Sequence, residues 1–250
     1  MAGHNKWSKV KHIKAVVDAK RGKIFSRLAK EISLAAKAGG GNPDANARLR
    51  SAILAARAAN VPNDNIARAI KKGTGEGGGA AIEEILYECF APGGVGLMIE
   101  VVTDNRNRAA ADVRSIISKN GGNFAESGSV GHMFQRLGEV RLEKGTLTED
   151  AATELALECG ADDVVEDEGQ WLFRSSIEQF LNVSQALREK GYTPSSQGMV
   201  YVPANIIEIT EADHAKAVVK LYDALDDYDD TQNVYANFDL SDEAAAALEA

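Results

Sequence analysis

The sequence predicts an α+β fold in which a helical region precedes regions of mixed strand and helix, and three observations predict it. Over residues 1–80 the apolar side chains recur at helical spacing. Past the glycine-rich run 73–79 the spacing becomes that of strands. Between residues 130 and 202 the elements follow the order strand-helix-strand-strand-helix-strand, which is the ferredoxin-like pattern.

The helices come first. Ile24, Leu28, Ile32 and Ala35 fall on one face and predict a helix over about 20–38, with Lys23, Arg27, Lys30 and Lys37 on a separate stripe. Gly39-Gly40-Gly41 ends it. Asn42-Pro43-Asp44 opens a second helix whose core face is Leu49, Ile53 and Ala56, while Arg50 and Arg57 project elsewhere. A third helix follows Pro62-Asn63, carries Ile66 and Ile70, and has a basic tail of Arg68, Lys71 and Lys72. The run 73–79 then reads by composition as a flexible linker and a domain boundary.

Residues 82–90 and 95–103 are strand-like and are joined by the turn signal Pro92-Gly93-Gly94. Ala109, Val113, Ile116 and Ile117 predict a helix that Gly121-Gly122 closes. The ferredoxin-like order consists of a strand over 130–142, a helix over 148–159, strands at 164–165 and 171–173, a helix over 177–190 and a strand over 198–202. A short strand at 206–209, a helix over 211–225 and a last strand over 234–240 end the reading.

Charge is distributed unevenly along this scaffold. The formal net charge is -9, yet residues 1–80 hold sixteen Lys and Arg against five Asp and Glu, a net of +11. The remaining residues hold twelve against thirty-two, a net of -20. Such segregation points to one part that meets a polyanion, the alternative being a basic surface that is merely solvated. The candidate contacts are Lys6, Trp7, Lys9, Lys11, His12, Lys14, Lys20, Arg21, Lys23, Arg27, Arg48, Arg50, Arg57, Arg68, Lys71 and Lys72. Lys and Arg neutralise phosphates and release condensed counterions, so their density sets affinity with little regard to sequence. Trp7 could stack on a base for ~1–3 kcal/mol, or anchor the first segment in a core. Asn63, Asn65 and Arg68 could read base edges if the third helix entered a major groove. Asn105-Arg106-Asn107-Arg108 could also contact nucleic acid, but a helix start capped by Asp104 or Asn105 is the better reading. The acidic remainder is expected to repel the polyanion and so orient a basic domain tethered by the glycine linker.

Other function classes find little support. No stretch approaches the ~20 apolar residues that span a bilayer, and the first residues lack the apolar core of a signal peptide, so a cytoplasmic protein is expected. Cys89 and Cys159 form no ligand-spaced pair and read as buried. The glycine run lacks the Gly-Lys-Ser/Thr ending of a phosphate loop. The four histidines form no metal motif, and the acidic run Asp223, Asp226, Asp227, Asp229, Asp230 lacks the glycine and closing glutamate of a calcium loop. That run reads as a solvated helix end. No nucleophile-and-base grouping is proposed, so no catalytic role, cofactor, metal or small-molecule substrate is expected.

Several blocks carry a family resemblance. Ala2-Gly3-His4-Asn5-Lys6-Trp7, Lys11-His12, the block from Asp18 to Phe25, and Gly39-Gly40-Gly41 with Arg48-Leu49-Arg50 resemble the YebC/PmpR family. So do the block from Thr103 to Arg108, Lys119-Asn120-Gly121-Gly122-Asn123 and Gly128-Ser129-Val130. The likeness runs through essentially the whole chain and departs from the family where Cys89 and Ala91 replace usual glycines. The resemblance implies an N-terminal three-helix bundle followed by two α+β domains, one ferredoxin-like and inserted into the other. The bundle would span 1–80, the interrupted domain 81–132 with 206–250, and the inserted domain 133–205. It also implies a cytoplasmic, nucleic-acid-binding regulator of gene expression, a DNA-binding transcriptional regulator by family tradition. The alternative is a ribosome-associated translation factor that binds ribosomal RNA and relieves stalled translation. DNA and/or ribosomal RNA are therefore the expected partners.

Overall fold

The structure, a computed structural model, describes residues 17–76, 78 and 80–249, with side chains among them from 22 to 248. Helix α1 (Val17–Gly39) is the spine of the helical region, and α2 (Ala47–Ala58) and α3 (Asn63–Thr74) pack along it. Its apolar stripe differs from expectation at both ends. Ile24 is 46% exposed, whereas all five residues from Ile32 to Ala36 are buried. Five consecutive residues cover more than one helical turn, so this part of α1 is enclosed on every side. Ile32, Ala35 and Ala36 meet Leu49, Ile53 and Ile66, while Leu34 turns the other way to meet Ile82 and Val102. The buried Ser33 hydroxyl donates to the carbonyl of Ala69 at 2.8 Å, which meets its hydrogen-bonding need inside the bundle.

The start of α2 lies later than Asn42-Pro43-Asp44 suggests. Those residues form a turn, and Asn46 is the N-cap. Its Oδ1 accepts the Leu49 N–H at 3.0 Å, and its Nδ2 donates to the carbonyls of Ala35 and Gly40 at 2.8 and 2.9 Å. One buried amide thus caps α2 and satisfies carbonyls at the end of α1. The glycine run also differs from the linker expected. Gly73 and Thr74 belong to α3, and Gly75 ends that helix in the left-handed region at φ 82. A Cβ added at Gly73 would stand 2.2 Å from the Ser33 carbonyl oxygen, so this glycine permits the close approach of α3 to α1.

The first sheet is built on the hairpin of β1 (Glu83–Phe90) and β2 (Gly96–Thr103), paired from Glu83 opposite Thr103 to Phe90 opposite Gly96. Helix α4 (Arg106–Lys119) covers it, capped by Asn105, whose side chain accepts the Arg108 N–H. A short strand the sequence pattern did not announce, β3 (Asn123–Ala125), pairs with β1. The chain then leaves this sheet and returns as β8 (Ile207–Ile209), α7 (Ala212–Asp226), β9 (Thr231–Ala236), β10 (Phe238–Leu240) and α8 (Asp242–Glu249). The strand expected over 234–240 is in fact two strands. β9 joins the first sheet, in the order β3-β1-β2-β9, and β10 runs parallel to β8. The break falls at Asn237, whose buried Oδ1 accepts the Gly96 N–H at 2.8 Å. Leu97, Ile99 and Val101 of β2 form the core with Val113 and Ile117 of α4 and Val218, Leu221 and Leu225 of α7.

Between departure and return lies the ferredoxin-like unit. Its elements are β4 (Phe134–Glu143), α5 (Glu149–Cys159), β5 (Asp163–Asp167), β6 (Gln170–Ser175), α6 (Phe180–Glu189) and β7 (Ser196–Pro203). The sheet is antiparallel in the order β5-β6-β4-β7, with Val140, Trp171 and Phe173 packed beneath Leu155, Val183 and Leu187 of the two helices. The protein is therefore α+β, with a three-helix N-terminal region and two α+β parts, one ferredoxin-like and inserted into the other. β4 begins at Phe134 and not near residue 130. The buried Glu88 carboxylate accepts the N–H groups of Gly128, Val130 and Gly131 at 2.7, 2.6 and 3.0 Å, which ties that segment into a turn.

The approach at Gly73 yields an expected outcome. Gly73→Ala should destabilise the protein by about 1–3 kcal/mol in urea denaturation, because a backbone carbonyl cannot move aside as a flexible side chain could. Gly198→Ala, where an added Cβ meets nothing within 4 Å, should change stability little.

Candidate nucleic-acid interface

The predicted contact residues fall into three groups. Lys6, Trp7, Lys9, Lys11, His12 and Lys14 lie outside the described residues, as do the side chains of Lys20 and Arg21. The eight whose side chains are described are Lys23, Arg27, Arg48, Arg50, Arg57, Arg68, Lys71 and Lys72. The structure does not bring these eight onto one surface.

One group is engaged by partners within the protein. Lys23 Nζ lies 3.0 Å from Asp226 Oδ2 and 2.9 Å from Asp227 Oδ1. Arg27 Nη2 pairs with Asp226 Oδ1 at 2.8 Å, and its Nε donates to the Thr231 carbonyl at 3.2 Å. Lys30, on the same stripe, reaches Asp230 Oδ1 at 2.8 Å. Lys37 donates to the Ile82 carbonyl at 2.6 Å, and Lys72 pairs with Asp104 at 3.1 Å. Arg48 makes a two-pronged bond to Glu31, through Nε at 2.8 Å and Nη2 at 3.1 Å. These contacts correct one expectation and add a finding. The run 226–230 is not a solvated helix end but the surface on which α1 docks, and the acidic part holds the basic helix by attraction. Lys23 and Asp226 are 203 residues apart in sequence, so no local pattern could pair them.

Asp230 is the centre of this joint. Its Oδ2 accepts from Thr103 Oγ1 at 2.8 Å and Arg108 Nη2 at 2.9 Å, while Oδ1 takes Lys30. Burial alone would raise its pKa, but the hydrogen bonds from Lys30, Arg108 and Thr103 outweigh burial and hold the carboxyl at about 2. Arg108 also pairs with Asp104 at 3.3 Å, so it belongs to the joint and Asn105 to a helix cap. Lys30, Lys37, Asp226 and Asp230 complete the joint, although the sequence pattern placed the first two only on the basic stripe and the last two in a solvated run. Their signal was the charge segregation itself, read as pointing outward when part of it points inward.

The second group faces away. Arg50, Arg57, Arg68 and Lys71 are exposed, and none pairs with a carboxylate among the described residues. Arg50 and Arg57 stand two turns apart on α2, and Arg68 and Lys71 one turn apart on α3. Arg50 Nη1 donates to the carbonyls of Pro43 and Asp44, which holds the exposed guanidinium in place without neutralising it. Arg68 bonds the side chain of Asn65, so two of the three residues considered for base reading are tied to each other. Each of these cations can neutralise a phosphate. Among the described residues no cluster of His, Cys, Asp or Glu could hold a metal ion, and no helix is long and apolar enough to cross a membrane.

Comparison with known proteins agrees with this architecture. The family model described as "TACO1/YebC protein N-terminal domain" matches residues 5–76, and "TACO1/YebC second and third domain" matches residues 82–238. A protein of Akkermansia muciniphila named "Probable transcriptional regulatory protein" is 53% identical over 250 residues, covering 99% of this chain and 100% of that one. One of the same name from Opitutus terrae is 48% identical, with 97% of this chain and 98% of the other covered. The crystal structure of a conserved hypothetical protein from Aquifex aeolicus superposes with a TM-score of 0.85 at 42% identity, over 92% of this chain and 95% of that one.

The joint carries a pH dependence. A carboxyl held at about 2 contributes stability that is complete above the ordinary value of 3.8 and is lost as pH falls from there toward 2. Acid titration followed by tryptophan fluorescence and circular dichroism should show stability decline over that window. Asp230→Asn should lower stability at neutral pH and flatten the decline.

Proposed function

We propose a function from one premise: this chain belongs to the TACO1/YebC family. The protein is a nucleic-acid-binding regulator of gene expression that binds DNA and controls transcription. The observation that carries this reading is the outward face of α2 and α3. Arg50, Arg57, Arg68 and Lys71 stand exposed there without carboxylate partners among the described residues, although the chain as a whole is acidic. A protein of net charge -9 that leaves such a basic face unneutralised presents it to an external polyanion. The names of the relatives, "Probable transcriptional regulatory protein", support DNA as that polyanion.

On this reading Lys6, Trp7, Lys9, Lys11, His12, Lys14, Lys20 and Arg21 extend the grip beyond the bundle. The chain divides into a gripping domain, 1–80, an interrupted domain, 81–132 with 206–250, and an inserted domain, 133–205. It acts by binding and not by catalysis, and it works in the cytoplasm.

Fluorescence anisotropy with a labelled DNA duplex over a salt series tests the reading. The wild-type protein should bind with a steep salt dependence. The combined variant Arg50→Ala, Arg57→Ala, Arg68→Ala should bind more weakly, with a log–log salt slope shallower by up to about 2.7, roughly 0.9 for each phosphate contact removed. An unchanged slope would remove this face from the interface. Binding to ribosomal RNA far tighter than to any duplex would overturn the assignment to DNA.

A further inference from the structure

The cations of α1 are already occupied, and the nature of the occupant is informative. Lys23, Arg27 and Lys30 stand four and three residues apart and so form one stripe of a helix, as a phosphate-binding surface does. Against them lie the carboxylates of Asp226, Asp227 and Asp230 and the backbone carbonyls of Asp226, Asp229 and Thr231, a row of oxygens along the stripe. The three cations keep 21%, 28% and 17% of their side-chain surface exposed, too little for an external strand of phosphates to reach. We propose that the acidic segment Asp226 to Asp230 is an internal stand-in for a polyphosphate backbone. It masks the Lys23–Arg27–Lys30 face of α1, and a nucleic acid must displace it to use that face.

The construction of the joint suits displacement. Carboxylates and phosphates accept the same hydrogen bonds from Lys and Arg, so exchanging one for the other preserves the donor geometry. A polyanion of high charge density also releases condensed counterions, which a short acidic segment does not. Asp227 is 80% exposed beside Lys23 and gives an incoming phosphate a place to begin the exchange. The apolar cluster at the joint is small, Leu34 with Ile82 and Val102, and the outlying pair Lys72–Asp104 is open to solvent. The α1 side of the joint is held by ion pairs and charged hydrogen bonds, and the exposed ones, such as Lys23–Asp227, are those that salt and competing anions weaken. Arg50, Arg57, Arg68 and Lys71 are exposed with the joint closed, and the α1 face becomes available when the joint opens. A ligand that prefers the open form shifts the population toward it by its differential affinity.

The proposal rests on the nucleic-acid reading for the identity of the polyanion, and the test separates the two. Dyes on cysteines introduced by Ala58→Cys and Lys220→Cys, both exposed, report the distance between the bundle and α7. The native Cys89 and Cys159 are buried with raised thiol pKa values and do not compete for the label. Energy transfer in the otherwise unaltered protein should fall on adding a DNA duplex, and also on adding inorganic polyphosphate. The variant Asp226→Asn, Asp227→Asn should show lower transfer before any addition. It should bind the duplex more tightly, by up to about tenfold if the closed form holds about nine-tenths of the molecules. Should that variant fold poorly, the titrations of the unaltered sequence decide. Duplex that binds while transfer stays constant overturns the mask and leaves the DNA reading standing. Polyphosphate that opens the joint while duplex fails to bind keeps the mask and removes the DNA reading. A folded variant that opens yet binds no more tightly also overturns the proposal.

Discussion

The docking of α1 depends on one buried ionic joint centred on Asp230. A carboxylate 11% exposed is costly unless charge and hydrogen bonds compensate it, and Lys30, Arg108 and Thr103 do so from three different elements. Because one of those partners comes from α1, the acidic body is satisfied when the bundle is docked. The reverse also holds, since the enclosed stretch Ile32 to Ala36 needs Val102 and Ile82 on the side that α2 and α3 do not cover. Docking thus covers Leu34, while the bundle's own core forms against α2 and α3.

Much of this fold was legible from periodicity. The three helices, the hairpin of β1 and β2 and the ferredoxin-like order were visible because each element buries one regular stripe or face. The misses share a physical cause, a side chain from a distant element that overrides local pattern. Glu88 captures three N–H groups and delays β4, and Asn237 binds Gly96 and divides the last strand. Asn46 outcompetes Asn42-Pro43-Asp44 as the start of α2 because it also closes the end of α1. Gly73, one of seven residues that read as linker, is a packing residue whose reason lies in Ser33.

The candidate site was legible in composition and not in geometry. Segregation of +11 from -20 announces attraction but does not say to what. The structure divides that attraction into an inward part, spent on Asp226, Asp227 and Asp230, and an outward part on α2 and α3. Several cations of the body are neutralised locally, Arg141 and Arg174 on the buried Glu139, Lys144 on Glu166 and Lys190 on Glu158.

Hydrogen exchange measured on the full chain with and without a DNA duplex tests the central claim most directly. The account predicts slower exchange through Ala47–Ala58 and Asn63–Thr74 and faster exchange at 226–231, where the acidic segment is released. Protection confined to the ferredoxin-like sheet, with α2, α3 and the acidic segment unchanged, would contradict it.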